Sequence, residues 1–305
     1  MGIADSIKRG LRHSSKVFEE AVDFGKGGFV GVIIYLAVSS LAMLGIAAAA
    51  GIVAVIAYVG ISFVVLSLAP GYSVIGNIGA MAVSVLIALT GVVAGFSYSL
   101  AANFGAIEYV YSGKRGGYFE PSNLEVAWKW SLFIVGAIVI LALVATGGVY
   151  AARVLQIGPV VGLLLLIGLM GLAGAGAILA IVALYYSHQE LAVNKRGPLE
   201  AARASWNLLK ANFWESLVFG LILYVLSEIV MGIPYFFLSL GMQAGLGMMA
   251  LGPLMIGVGG LVLAIFVLLM IALGFIVEAG ALILKVKFYK KIAGGKEEAK
   301  TKKAS

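Results

Sequence analysis

The sequence contains no cysteine, so it can form neither a disulfide bond nor a thiolate metal site. Aspartate is almost absent too, since Asp5 and Asp23 are the only two. Aspartate-rich metal sites, such as those of phosphotransferases that act on lipids, therefore cannot be built. The two histidines, His13 and His188, have no second metal ligand at helical spacing, and we interpret both as surface residues. From these absences we expect no enzymatic activity, no cofactor and no metal site.

Charge is also scarce. Charged residues make up 11% of the chain and hydrophobic residues 62%, against about 25% and about 45–50% in soluble domains. No Asp, Glu, Lys or Arg occurs in residues 27–107, 131–152, 154–187, 216–227 or 229–277. An apolar run of about 18 residues or more can cross a bilayer as a helix, whereas a membrane β-barrel needs alternating strands. The sequence therefore predicts an all-α fold, a polytopic integral membrane helical bundle.

The basic residues indicate how many spans there are. They cluster near the N-terminus, near residue 115, near residue 196 and from Lys285 to Lys303, and only Arg153 lies elsewhere. Because Lys and Arg mark the cytoplasmic side of short loops, an even number of spans must separate successive clusters. We therefore predict six spans in a plasma-membrane protein with both termini cytoplasmic, near residues 29–50, 78–106, 131–149, 160–187, 213–234 and 254–284. These flanking residues explain the net charge of +7, so nucleic acid is not an expected partner.

Residues 29–69 form one apolar stretch that is longer than a single span needs. The stretch could be one long helix, two spans, or one span followed by a shorter piece. Two full spans would move the second basic cluster to the outer side, so we interpret part of 50–77 as a re-entrant or outer-leaflet helix. Whether it is instead a further span stays open. Gly45, Gly51 and Gly60 are the positions where we expect the helix to break.

The tripeptide Lys-Arg-Gly occurs three times, beginning at Lys8, Lys114 and Lys195. We interpret each copy as the cytoplasmic end of a hairpin that also carries an amphipathic helix. One transmembrane domain, 1–292, then consists of three parallel repeats at about 1–113, 114–194 and 195–292, followed by a disordered basic tail at 293–305. Proline is favoured at the first position of a helix. It precedes three returning spans and two cytoplasmic helices, at Pro70, Pro159, Pro253, Pro121 and Pro198.

Basic and aromatic side chains are predicted to line the cytoplasmic membrane surface. The basic ones are Lys114, Arg115, Lys195 and Arg196, which we expect to meet anionic lipid headgroups. The four tryptophans of the chain are Trp128, Trp130, Trp206 and Trp214. At an interface an indole keeps its N–H in water and its rings in apolar surroundings.

Residues 198–226, PLEAARASWNLLKANFWESLVFGLILYVL, resemble a group of six-span prokaryotic membrane proteins. The shared pattern is an alanine-rich helix leading to Trp206, a Lys-x-Asn-Phe sequence from Lys210 to Phe213, and an apolar span. The group is similar to the membrane domain of some glycerophosphodiester phosphodiesterases and to archaeal and bacterial membrane families of unknown function. The resemblance implies six spans and no catalytic residues in this domain. The soluble phosphodiesterase domain is not in this sequence, so that activity is not expected.

Three ionisable residues stand out within or beside the predicted spans. Glu228 lies past the midplane of the fifth span, where a charge costs about 2.5–3.5 kcal/mol or more. We expect it either to pair with Arg153, the one cation on the outer side, or to reach the outer water. Glu278 is expected to pair with Lys285 or Lys287, or with the basic end of another hairpin.

Two functions follow from this pattern. Nearly uncharged outer loops and three amphipathic cytoplasmic segments favour a non-enzymatic scaffold or accessory to another membrane process. Its partner would be another membrane protein or a second copy of the chain. The alternative is a transporter or permease with a pathway between the hairpins, lined by Glu228 or Glu278. A dry, glycine-packed bundle favours the first function, and a wet cavity that reaches either glutamate favours the second.

Overall fold

The computed structural model of the chain describes residues 3–68, 71, 73–154, 168 and 184–304. These residues contain seven α-helices and no strand. The helices are α1 (Ile3–Leu68), α2 (Ser73–Ser112), α3 (Pro121–Val154), α4 (Ser187–Asn194), α5 (Pro198–Ala211), α6 (Phe213–Ala250) and α7 (Pro253–Ala304). Within this described part of the chain, four segments are long and apolar enough to cross a membrane: Ala4–Leu68, Val74–Ser112, Phe213–Ala250 and Met255–Gly294. The predicted helical fold with several membrane-spanning helices is therefore confirmed.

Four of the six predicted spans coincide with these apolar helices, namely 29–50, 78–106, 213–234 and 254–284. The third, 131–149, lies within α3. The fourth, 160–187, falls almost entirely outside the described residues. The count of six spans and the repeat of three hairpins stay predictions.

The first helix is much longer than the sequence pattern suggested. It has 66 residues and passes through Gly45, Gly51 and Gly60 without interruption. The predicted break at these glycines is wrong. A glycine within a helix costs only about 1 kcal/mol relative to alanine, and the neighbouring run Ala47–Ala50 favours helix strongly. The helix ends only at Leu68.

Proline begins three of the helices, as the sequence predicted. α3, α5 and α7 start at Pro121, Pro198 and Pro253, where the missing N–H has no helical acceptor in any case. Pro70 and Pro159 lie outside the described residues. Between α6 and α7, Gly252 adopts a φ of 136°, which a side chain would disfavour. This glycine allows the chain to reverse within a short turn.

The chain divides into two compact units. Unit 1 contains Met1–Ala37, Ala106–Arg115 and Leu208–Ser305, and unit 2 contains Val38–Gly105 and Gly116–Asn207. In unit 2, α1 and α2 form an antiparallel hairpin in which Gly91 lies directly against Ala50. Farther from the turn, the hydroxyls of Ser39 and Ser99 are 2.7 Å apart and buried. Small residues thus bring the two backbones close together.

In unit 1, α6 and α7 form a second glycine-packed hairpin. A Cβ placed on Gly259 would lie 2.5 Å from the carbonyl oxygen of Gly245, so only glycine fits there without a shift. Near the open end of the hairpin, the rings of Phe219 and Phe288 stack with centroids 4.1 Å apart. These contacts hold the helices antiparallel along most of their length.

The C-terminal helix includes the segment predicted as a disordered tail. α7 is helical to Ala304 and therefore takes in most of 293–305. Alanine, glutamate and lysine, which make up much of that segment, are all strong helix formers. That this segment forms a disordered tail stays a prediction.

Candidate functional site at the polar helix ends

The buried charge of unit 1 is centred on Glu215, in the first turn of α6. Its side chain is 10% exposed, with one oxygen 3.0 Å from His13 Nδ1 and the other 3.6 Å from Arg9 Nε. The positive end of the helix dipole favours a carboxylate at this position. The charge of Glu215 is therefore balanced by the N-terminal part of α1.

Gly10 allows α1 to approach this glutamate. A Cβ at Gly10 would lie 3.2 Å from the Cα of Glu215 and from the Cβ of Val218, which is tight for a side chain. Ser14, one turn later, is buried and donates its hydroxyl to the Gly10 carbonyl at 2.8 Å. In this first Lys-Arg-Gly tripeptide, the arginine supplies charge and the glycine supplies close packing.

Unit 2 has a comparable arrangement around Glu190, in the first turn of α4. The residue is buried, and its Oε2 accepts hydrogen bonds from Arg196 Nη1 at 2.7 Å and from Asn194 Nδ2 at 2.8 Å. Arg196 lies only six positions after Glu190, so the ion pair is local in sequence. Once more the arginine of a Lys-Arg-Gly tripeptide balances a buried carboxylate.

Lys195 lies at the C-terminal end of α4, the helix that contains Glu190. It ends α4 with a φ of 51°, in the left-handed region that non-glycine residues seldom adopt. Its ammonium donates a hydrogen bond to Oδ1 of Asn123, which is fully buried in the first turn of α3. This contact helps to offset the backbone cost of about 1 kcal/mol or more.

The tripeptide that begins at Lys114 follows the end of α2 at Ser112. The residue between them, Gly113, has a φ of 76°, which suits a glycine, and its N–H donates to the Tyr109 carbonyl at 2.9 Å. Lys114 and Arg115 follow and are both exposed. Of the four basic residues predicted at the lipid interface, Lys195 and Arg196 bond to protein groups, and the side chains of Arg196, Lys114 and Arg115 are exposed. Lipid contact by any of them stays a prediction.

The tryptophans divide in a similar way. Trp128, Trp206 and Trp214 are each about two-fifths exposed, as an interfacial residue should be. Trp130 is 2% exposed, stacks on Phe133 at 5.5 Å and meets the edge of His188 at 6.1 Å. Trp130 is thus covered by protein side chains, and its position at the lipid interface stays a prediction. Side chains two positions apart on a helix point about 200° apart around its axis, so Trp128 and Trp130 cannot share a face.

Lysines of α7 cover aromatic rings at the polar end of unit 1. Lys287 Nζ lies 5.2 Å from the centroid of Phe24, and Lys290 Nζ lies 5.1 Å from that of Tyr111. Lys290 also donates to the Tyr111 carbonyl at 2.9 Å, and Lys291 lies 4.0 Å from Glu20. The apolar stems of these lysines pack on protein while the charged ends remain near solvent.

The predicted intramembrane acids lie on helix surfaces. Glu228 on α6 and Glu278 on α7 are both exposed, and neither forms an ion pair with another described residue. The predicted pairing of Glu278 with Lys285 or Lys287 is therefore absent within the described part of the chain. The side chain of Arg153 falls outside the described residues, so its pairing with Glu228 stays a prediction.

Sequence reasoning missed the cluster around Glu215. His13 was interpreted as an isolated surface residue, and this is wrong because it contacts a carboxylate 202 positions away. His188 is exposed, as predicted, although it also packs against Phe104 and Trp130. The described residues contain no group of three His, Asp or Glu side chains able to hold a metal ion.

These features define a helical membrane protein whose buried charges are balanced internally at the helix ends. Comparison with family models, with curated proteins and with solved structures found no match. The resemblance of residues 198–226 to the membrane domain of glycerophosphodiester phosphodiesterases stays a prediction.

Proposed function

We propose that this chain is a non-enzymatic, six-span protein of the plasma membrane that acts as a scaffold or accessory to another membrane process. Both termini are cytoplasmic in this proposal, and the partner is another membrane protein or a second copy of the chain. The likeness to the phosphodiesterase-linked membrane domains is part of the same proposal.

The observation that carries the proposal is the closure of both hairpins by backbone contacts. Gly91 against Ala50 and Gly259 against Gly245 leave no space between their helices at those levels. Direct glycine packing of this kind is how membrane helices associate without polar groups. The buried acids Glu190 and Glu215 lie outside these interiors and are already bonded to basic residues.

The surface of α5 offers a place for a partner. Its buried face includes Ala201, Ser205 and Leu208, whereas Leu199 and Trp206 lie together on its exposed side. Such an exposed Leu and Trp, surrounded by charged and polar positions, is typical of a protein or lipid contact. Anionic headgroups and a membrane protein are both expected next to this helix.

Site-specific photo-crosslinking in native membranes tests the scaffold role. A photoreactive residue replaces Trp206, with Asn207 as the matched control because it is exposed but points about 100° away. We expect one reproducible protein adduct from position 206, either with a second copy or with one membrane protein, and none from 207. Adducts with lipid alone at position 206 contradict the scaffold role.

The alternative is a transporter, and one observation favours it. Glu228 and Glu278 lie on apolar helices without an ion-pair partner among the described residues, and intramembrane acids commonly mark ion pathways. Purified protein in sealed vesicles with a pH-sensitive dye distinguishes the two functions. The scaffold predicts the same proton leak as empty vesicles. A leak that disappears in the double variant Glu228→Gln, Glu278→Gln supports transport.

A further inference from the structure

The α6–α7 hairpin places its two isolated acids at the same level. Gly245 and Gly259 meet, and each lies seven positions from Gly252 in the turn. At the other end Phe219 stacks on Phe288, again at nearly equal distances from the turn. Both contacts bracket Glu228 and Glu278, and α6 continues through Pro234 between them. The two carboxylates therefore lie within about one helical turn of each other along the hairpin axis.

The distance from these acids to the turn matches one bilayer. At about 1.5 Å per residue, Glu228 lies about 33 Å from the end of α6 at Ala250, and Glu278 about 38 Å from the start of α7 at Pro253. The hydrocarbon core is about 30 Å thick. A tilt of about 30°, within the range of membrane helices, makes the thickness that these two lengths span equal to that of the hydrocarbon core.

The surface between the acids and the turn has the chemistry of a lipid-facing surface. Residues 229–277 carry no charge. Large apolar side chains are exposed on more than half of the circumference of each helix, including Phe236, Phe237, Leu240, Leu261, Ile265 and Leu268. A protein partner usually covers one face, whereas lipid chains surround a helix.

The few polar groups in this stretch are compatible with lipid. Ser239 donates its hydroxyl to the Phe236 carbonyl at 2.8 Å, so it needs no outside partner. Gln243 lies about 10 Å from the end of α6, within reach of the headgroups at the turn. Tyr224, one turn beyond Glu228, is 62% exposed, as expected for an aromatic residue at a membrane interface.

We propose that the hydrocarbon core of the bilayer surrounds the α6–α7 hairpin from the turn at Leu251–Gly252 to the level of Glu228 and Glu278. The two acids mark the edge of the membrane and face the headgroup layer, not the membrane centre. The first 15 residues of α6, with the Phe219–Phe288 stack and Glu215, lie outside the hydrocarbon. The inference rests on the membrane-spanning character of these helices and is independent of the scaffold role.

Spin labels at single introduced cysteines test this placement, because the chain has no cysteine of its own. Five exposed positions serve: Ile229 and Ile276 beside the acids, Leu240 and Ile265 halfway along, and Leu251 at the turn. The protein is reconstituted in phosphatidylcholine–phosphatidylglycerol vesicles. Accessibility to oxygen, relative to a water-soluble nickel complex, is then measured by power saturation. We expect this ratio to be severalfold higher at 240 and 265 than at 229, 276 and 251.

Two results overturn the placement and can be told apart. If positions 229 and 276 give the highest ratio, the acids lie at the membrane centre. If all five positions are open to the nickel complex, the hairpin is not in the bilayer at all. As a second measurement, Ile265→Lys should lower the yield of membrane-inserted protein severalfold, while Ile229→Lys should leave it nearly unchanged. Equal losses for the two variants contradict the proposal.

Discussion

The ends and the middles of the helices are held together by different interactions. At the ends, buried carboxylates meet arginine, histidine and asparagine, as at Glu190 and Glu215. In the middles, glycine and alanine bring backbones together, and the larger side chains point outward. A chain surrounded by lipid gains little from packing one leucine against another, because lipid tails are equally apolar. Close backbone contact therefore holds the hairpins, and ionic contact holds the wetter ends.

The two hairpins also differ in length. The charge-free stretch that includes the α6–α7 turn is 229–277, whereas the one that covers most of α1 and α2 is 27–107. The shorter one fits a hydrocarbon core, but α1 rises about 60 Å from Gly27 to Leu68, about twice the core thickness. Apolar length alone therefore does not locate a membrane boundary. Charged residues at matching levels of a hairpin are the better marker.

The largest expected effect is in a hairpin interior. Gly259→Ala places a methyl group against the Gly245 carbonyl and should lower the free energy of unfolding by about 2 kcal/mol. The matched control is Gly260→Ala, because nothing lies within 4 Å of a Cβ there. That variant should be neutral or up to about 1 kcal/mol more stable, as alanine favours helix. Unfolding in bicelles, followed by tryptophan fluorescence, measures both. Equal effects would show that the middles are not held by glycine contact.

Next in size is the loss of a charge partner at a helix end. Arg196→Ala leaves Glu190 buried with only Asn194 beside it and should cost about 1–2 kcal/mol. This value is below that for a fully buried pair because 43% of the arginine side chain is exposed. Raising the salt concentration should reduce the difference in the free energy of unfolding between Arg196→Ala and the parent. It should not change the corresponding difference for Gly259→Ala. The same unfolding measurement in low and high salt checks this. A salt-independent loss contradicts the ionic explanation.

Arg9→Ala should have a smaller effect than Arg196→Ala, so these two variants distinguish the helix end at Glu215 from the one at Glu190. The distance from Arg9 Nε to Glu215 is 3.6 Å, against 2.7 Å for the contact between Arg196 and Glu190. His13 also remains 3.0 Å from Glu215 in this variant. We expect a loss of about 0.5–1 kcal/mol. The double variant Arg9→Ala, His13→Ala should lose more than the sum of the single variants, because it alone removes both partners. Strict additivity would mean that Arg9 and His13 stabilise Glu215 independently of each other.

How much of this was predictable depends on distance along the chain. The helices and their proline starts follow from local composition, and Glu190 and Arg196 are only six residues apart. By contrast, His13 and Glu215 are separated by 202 positions. The periodicity of residues within one segment cannot predict a contact between residues so far apart in sequence. The different exposure of Trp128 and Trp130 is also local, because their spacing on α3 makes them face different ways. The unbroken α1 shows that isolated glycines do not end a helix when no other residue favours a turn.

The smallest expected effect lies at the most exposed helix end. Lys129 donates to Glu125 at 2.5 Å, one turn apart near the start of α3. This hydrogen bond and the positive charge of Lys129 lower the pKa of the Glu125 carboxyl. Since the folded pKa is below the unfolded one, ordinarily about 4.3, the pair stabilises above that pH. The contribution is lost as the pH falls through the lower, folded value.

Glu125→Gln should therefore reduce the unfolding midpoint slightly at pH 6, by less than any variant above, and the difference should disappear once the pH is below the folded pKa of Glu125. Thermal unfolding of parent and variant across this range measures it. The pair is open to water, and at high salt the difference should disappear. A difference that persists in salt, or grows as the pH falls, would mean that Glu125 is shielded from water at the membrane surface. Helix ends would then differ from one another in whether lipid or water covers them, and the start of α3 would be an end that lipid covers.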